Sequence, residues 1–141
     1  MMMSAFTRVG ALLTLALALS SSAAAQLMEC RGSQKPTQVA ELMFGRKIGD
    51  RIAVSEVAWN RFVDREITPR FPAGLTVFNA AGQWRDQGSS RIVHEPSKIV
   101  QIVLPGEAED ITRLNEIAQA YKNRFKQQSV AVIVRAACVS F

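Results

Sequence analysis

Two arginines, one histidine, a Trp–Arg pair and two cysteines are the residues of this chain whose types and positions could do chemistry. Arg46 follows an apolar stretch and Arg70 follows a helical pattern, so both fall where loops meet the main elements. Two guanidinium groups converging there would hold a carboxylate or phosphate. The competing use, and the preferred one, is ion pairing with Glu66 or Asp64. Trp84 and Arg85, in a turn-flanked hairpin, could form a binding lip, although a hairpin Trp more often packs into a core. His94, the single histidine, stands beside Glu95 in a strand-like segment. No serine or cysteine is placed to partner it, so a surface histidine is preferred over a nucleophilic triad. Glu107, Glu109 and Asp110 open a helical pattern, where the helix dipole accounts for them. Gly45 and Gly49 lack the strand–glycine–helix spacing of a phosphate loop. No catalytic constellation emerges, which leans against an enzyme.

The cysteines are read through what precedes them. MMMSAFTRVG carries one basic residue, Arg8, and is followed by the apolar run from Ala11 to Leu19 and the small residues Ala23-Ala24-Ala25. That order is a signal peptide, residues 1–25, cleaved after Ala25. The apolar run falls short of the roughly 20 residues of a permanent span, so no membrane anchor is expected. A lipoprotein would need a small residue before its acylated cysteine, and Glu29 stands there instead. The expected location is periplasmic or secreted. An oxidising compartment and an even pair of cysteines, Cys30 and Cys138, point to a disulfide between the two ends of the mature chain. A free thiol or a shared metal is the weaker use, because one histidine is too few for a zinc set. No cofactor or metal is expected.

Composition bounds the rest. Of 141 residues, 48% are hydrophobic and 21% charged, which suits one folded domain rather than a disordered chain. The net charge of +5 falls to +4 without Arg8. Export removes nucleic acid from the partners, leaving a small anionic ligand or anionic envelope material, or a merely solvated basic surface.

Those residues must be positioned by elements that the pattern discloses. Residues 26–36 read as an N-terminal tether, and residues 37–141 as a single domain. TQVAELMFG alternates as a strand ended by Gly45. RKIGDRIAV reads as a loop leading to Ser55, a helix N-cap. Trp59, Phe62, Val63 and Ile67 form the apolar stripe of a helix ending before Pro69. GLTVF is strand-like, with a turn or bulge at Asn79 to Gly82, and RIVHE with KIVQIVL form a long strand interrupted at Pro96. Ile111, Leu114, Ala118, Tyr121 and Phe125 mark a second amphipathic helix, and SVAVIVRAACV a final strand. The order strand, helix, strand, strand, helix, strand predicts an α+β, ferredoxin-like fold with two helices on one face of a four-stranded antiparallel sheet.

That alternation has a consequence for function. If Leu42, Phe44, Val100, Ile102, Val130 and Val132 face the helices, the other face carries Val39, Met43, Ile99, Val103 and Ile133 beside Glu41, Gln101 and Arg135. So apolar a face calls for a cover: a second copy, a ligand or the tether. Self-association into a homodimer is the usual solution.

The motifs F-G-R (Phe44 to Arg46), T-P-R-F-P-A-G-L-T (Thr68 to Thr76), G-Q-W (Gly82 to Trp84) and the terminal A-C-V-S-F together resemble the exported bacterial domain-of-unknown-function 3574 family, from about Val39 to Phe141. Met43 stands where that family more often has an aromatic. The resemblance implies a small exported domain and adds no mechanism. The leading expectation is a ligand- or partner-binding module that self-associates through its open sheet face. The alternatives are an enzyme with a cavity on that face and a structural envelope protein.

Overall fold

The first long strand, β1 (Lys35–Gly45), alternates in burial along its length, and it holds the centre of the molecule. The computed structural model describes residues 29–86 and 88–141. The expected leader, residues 1–25, lies outside them. Two short strands follow, β2 (Lys47–Ile48) and β3 (Arg51–Ile52), pairing as a small ribbon where the sequence suggests only a loop. Then come α1 (Glu56–Phe62), a π-helical turn (Val63–Ile67), β4 (Thr76–Arg85), β5 (Ile92–Val103), α2 (Asp110–Phe125) and β6 (Ala131–Val139).

The four long strands form one antiparallel sheet in the order β4-β5-β1-β6. This is the α+β, ferredoxin-like arrangement expected from the element order. Register follows the apolar alternation, because a slip of one residue would turn every apolar side chain outward. Leu42 lies opposite Val100 on one side and Val132 on the other. Ala40, Leu42, Phe44, Val100 and Ile102 are buried under the helices, with Val130, Val132 and Val134 packed against them.

The helices are set by short local signals. Ser55 caps α1, its Oγ accepting from Ala58 N at 3.2 Å. The π turn is closed by Thr68 N donating to Val63 O at 2.9 Å, and Ile67 stays fully buried beside Trp59 and Phe62. On α2 the buried stripe is Asp110, Leu114, Ile117, Ala118 and Tyr121. Ile111, expected on that stripe, is exposed, because it lies one residue, about 100° of helix, from Asp110. Phe44, Trp59, Phe62, Tyr121 and Phe125 meet as an aromatic cluster, with the Phe44 and Tyr121 centroids 4.7 Å apart edge to face.

Two expectations about strands are corrected. Asn79 to Gly82 make no turn: they run through β4, with Ala80 opposite Ser97 and Gly82 opposite Glu95. Pro96 does not break β5 either. Its carbonyl accepts from Arg46 N just past the last β1 pair, Gly45 with Ser97. Its missing N–H therefore faces the side where β1 has already ended, and no ladder bond is lost.

Cys30 and Cys138 form a disulfide, with Cα atoms 5.4 Å apart and 108 residues between them in sequence. Closing so long a loop stabilises by about 4–5 kcal/mol in the chain-entropy account. It also explains why β1 starts inside the expected tether: Lys35 and Pro36 pair with Val139 and Cys138.

Candidate functional site: the open sheet face and its terminal cleft

Odd-numbered residues of β1 and β5 point away from the helices. Glu41 sits at the centre of that face, opposite Gln101 on β5 and Ile133 on β6. Its Oε1 accepts from Arg135 Nη2 at 2.8 Å and from Gln101 Nε2 at 3.0 Å. The Arg135 guanidinium, with help from Gln101, lowers the Glu41 pKa to about 2. Around this neutralised centre lie Val39, Met43, Ile99 and Val103, with Phe78 and Ile133 exposed by 46% and 41%. Two long apolar side chains exposed beside partly buried ones make a continuous apolar surface with a self-contained polar middle.

At the Gly45 end the face deepens into a cleft of about 420 Å³. Its floor is the sheet at Met43, Gly45, Gly82 and Ser97; its walls are β2 with Gly49, the β4–β5 hairpin end, and residues 126–129 after α2. Glu95 lies across the floor, with Oε1 accepting from Trp84 Nε1 at 2.8 Å and Oε2 from Lys47 N at 3.0 Å. It lies directly over Gly45, where a Cβ would come 2.5 Å from Glu95 Oε1 and displace the carboxylate. A Cβ at Gly82 would likewise meet Ser97 Oγ at 2.6 Å. At the rim, Gln127 Nε2 donates to Lys47 O at 2.8 Å, and Asp86 accepts from Ser89 Oγ and Gly88 N, which lowers its pKa.

The residues singled out by sequence scatter over this frame. Trp84 lines the cleft. Arg85 pairs opposite Ile92, so it points to the other side of the sheet, as does exposed His94 opposite Gln83. Arg46 and Arg70 share neither a carboxylate nor a cavity. Arg46 is buried, donating from Nε to Val54 O at 2.8 Å and from Nη1 to Glu56. Arg70 pairs with Glu66 at 3.1 Å, as preferred from the sequence, and with Glu116 at 3.2 Å.

Two residues escape sequence reasoning. Lys98 is 5% exposed, donating from Nζ to Glu56 Oε2 at 2.8 Å and to Asn79 Oδ1. Lys98 first, then Arg46, hold the Glu56 carboxyl below its ordinary range. Lys98 interrupts an apolar alternation on the inward side, which is the signal that could have found it. Glu95 is the other, hidden as a mere neighbour of His94. Tyr121 closes the inner side of the same strand end, its hydroxyl donating to Gly45 O at 2.8 Å, and burial raises its pKa.

Among the described residues no group of three His, Cys, Asp or Glu could hold a metal ion. No described helix is long and apolar enough to cross a membrane.

A family model described as "Protein of unknown function (DUF3574)" matches residues 39–141. No curated protein matches the sequence. Among solved structures, a phage SAM lyase in complex with S-methyl-5'-thioadenosine is similar at 19% identity and a TM-score of 0.60, covering 82% of this chain and 95% of that one. Its apo form is 22% identical with a TM-score of 0.57, covering 82% and 96%. CutA from Synechococcus elongatus is 10% identical with a TM-score of 0.45, covering 75% and 81%. At these identities the likeness to the lyase is one of fold.

Proposed function

Since the chain belongs to the DUF3574 family, whose description assigns no activity, we propose that it is a small exported binding module that pairs with a second copy of itself through the open sheet face. One observation carries this reading. The face exposes Phe78 and Ile133 beside Met43 and Ile99, while its central charge, Glu41, is already matched by Arg135 and Gln101. Covering such a face removes apolar surface from water without stranding a naked charge. Export rests on the leader pattern in residues 1–25, and the Cys30–Cys138 disulfide suits an oxidising compartment.

The test is light scattering on the mature protein and on a Phe78→Asp, Ile133→Asp variant. The wild type is expected at twice the monomer mass and the variant at monomer mass with its thermal unfolding retained. A wild type that stays monomeric at high concentration overturns the proposal.

A second reading, a small-molecule enzyme, is favoured by the cleft at the end of the face. The shared fold with a phage SAM lyase supplies a first assay: release of S-methyl-5'-thioadenosine from SAM, followed by mass spectrometry. Absence of that product removes this version of the reading. An anion at Arg46 or Arg70 would have to displace Glu56 from the first, or Glu66 and Glu116 from the second. Anion-dependent thermal stabilisation that survives Arg46→Ala with Arg70→Ala would reject such a site.

A further inference from the structure

Several carboxylates among the described residues are matched by cations. Glu41 has Arg135, Glu56 has Arg46 and Lys98, Glu66 and Glu116 share Arg70, and Glu107 has Arg113. Glu95 differs. It is partly buried and lines the cleft at the Gly45 end of the open face, yet among the described residues it makes no salt bridge. Its two partners, the Trp84 indole N–H and the Lys47 backbone N–H, are neutral donors. They fix the carboxylate's orientation without forming an ion pair; Lys47, Arg91 and Lys126 also line the cleft but make no salt bridge to Glu95, and Arg91 pairs with Asp50. A carboxylate has about four lone-pair sites, and two are taken.

We propose that this cleft is a binding site for a small organic cation, received by the Glu95 carboxylate and the Trp84 ring. The carboxylate supplies a countercharge that no salt bridge among the described residues takes up. The indole, turned edge-on to Glu95 by its own hydrogen bond, offers an aromatic surface for a cation's apolar skirt. Met43 and Val93 extend the apolar lining. A volume of about 420 Å³ lies within the ordinary range for small-molecule pockets, roughly 300–1,000 Å³. The site is prepared in the backbone: at Gly45 and Gly82 side chains would collide with Glu95 and with Ser97, so the floor stays flat where the ligand would lie. A metal ion is a poorer occupant, because among the described residues no group of three carboxylate, His or Cys ligands gathers there. Every contributing group comes from one copy of the chain, so the site stands apart from the proposed self-association.

The probe is choline, compared with its uncharged isostere 3,3-dimethylbutan-1-ol, titrated into the ¹⁵N-labelled mature protein while the Trp84 indole N–H resonance is followed. Choline is expected to shift that resonance saturably, and the neutral isostere to bind at least about tenfold more weakly. Glu95→Gln is expected to weaken choline binding by about tenfold or more, because the hydrogen-bond shape survives and the charge does not. Equal responses to the two probes, a choline response unchanged in Glu95→Gln, or no saturable shift at all would each overturn the proposal. The isostere comparison needs no variant, so it holds even if Glu95→Gln fails to fold. Repeating the titration in the Phe78→Asp, Ile133→Asp variant separates the two proposals: choline binding persists there whether or not the wild type self-associates.

Discussion

The two faces of the sheet are built from the same alternating strands and nearly the same residue types, yet they end in opposite states. On the helix side, Leu42, Phe44 and Val100 are fully buried, and the aromatic cluster closes over them. On the open side, Ile99 and Val103 remain partly exposed and Phe78 largely so. Polar groups are handled differently as well. The helix side buries Lys98 and Arg46 at one end of the sheet, where both meet Glu56, and admits the hydroxyl of Tyr121, bonded to Gly45 O. The open side carries its charge pair, Glu41 with Arg135, at its centre. Apolar content therefore does not separate a face that makes the fold from a face that stays open. The position and pairing of the polar groups does.

The largest expected contrast comes from truncating one aromatic on each face. Phe44→Ala is expected to cost about 3–5 kcal/mol in urea unfolding, because the ring leaves a cavity in a close-packed cluster. Phe78→Ala, measured on dilute monomer, is expected to cost below about 0.5 kcal/mol. Comparable losses at both positions would break the distinction between the faces.

A smaller effect is expected at the polar lining of the core. Tyr121→Phe removes the bond to Gly45 O and is expected to cost about 1 kcal/mol near neutral pH. Burial raises the Tyr121 pKa above its ordinary 10.0. The unfolded chain therefore loses this proton first, and wild-type stability falls as pH rises beyond about 10. Tyr121→Phe lacks that loss, so the gap between the two proteins should narrow on alkaline titration. A constant gap would place the hydroxyl in water.

The smallest effect belongs to the open face. Arg135 and Gln101 hold Glu41 at about 2, against an ordinary 4.5. A depressed folded pKa gives stability that is present above the unfolded value and lost as pH falls toward the folded one. The advantage of wild type over Glu41→Gln should thus decline between about pH 4.5 and 2, with unfolding followed by circular dichroism. An advantage that does not change across that window would mean that the pair is solvated and contributes nothing to stability.

Most of the fold is legible in the chain. Ser55 announces α1, the stripe Trp59, Phe62, Val63 and Ile67 announces its buried side, and the alternation through Leu42 and Phe44 orients β1 correctly. Local misreadings came from residues whose meaning depends on a neighbouring strand. Pro96 looks like a break unless one knows that β1 has ended beside it, and Gly82 looks like a turn unless one sees Glu95 across the ladder. The site was less legible, because its parts are far apart in sequence. Trp84 stands out in its hairpin, but its partner Glu95 and the floor at Gly45 come from different strands.

Taken alone, the sequence determined element order, the identity of the covered face and the pairing of Cys30 with Cys138, since periodicity, caps and cysteine number are local or countable properties. Apart from the local Arg70–Glu66 pair, tertiary structure decided which cations meet which carboxylates. Arg46 and Arg70 were separated, Lys98 was drawn inward to Glu56, and Glu95 was left without a countercharge in a cleft. The physical reason is range. Apolar periodicity acts within one element, whereas an ion pair or a cleft exists only when the sheet brings residues tens of positions apart to within a few ångströms of one another.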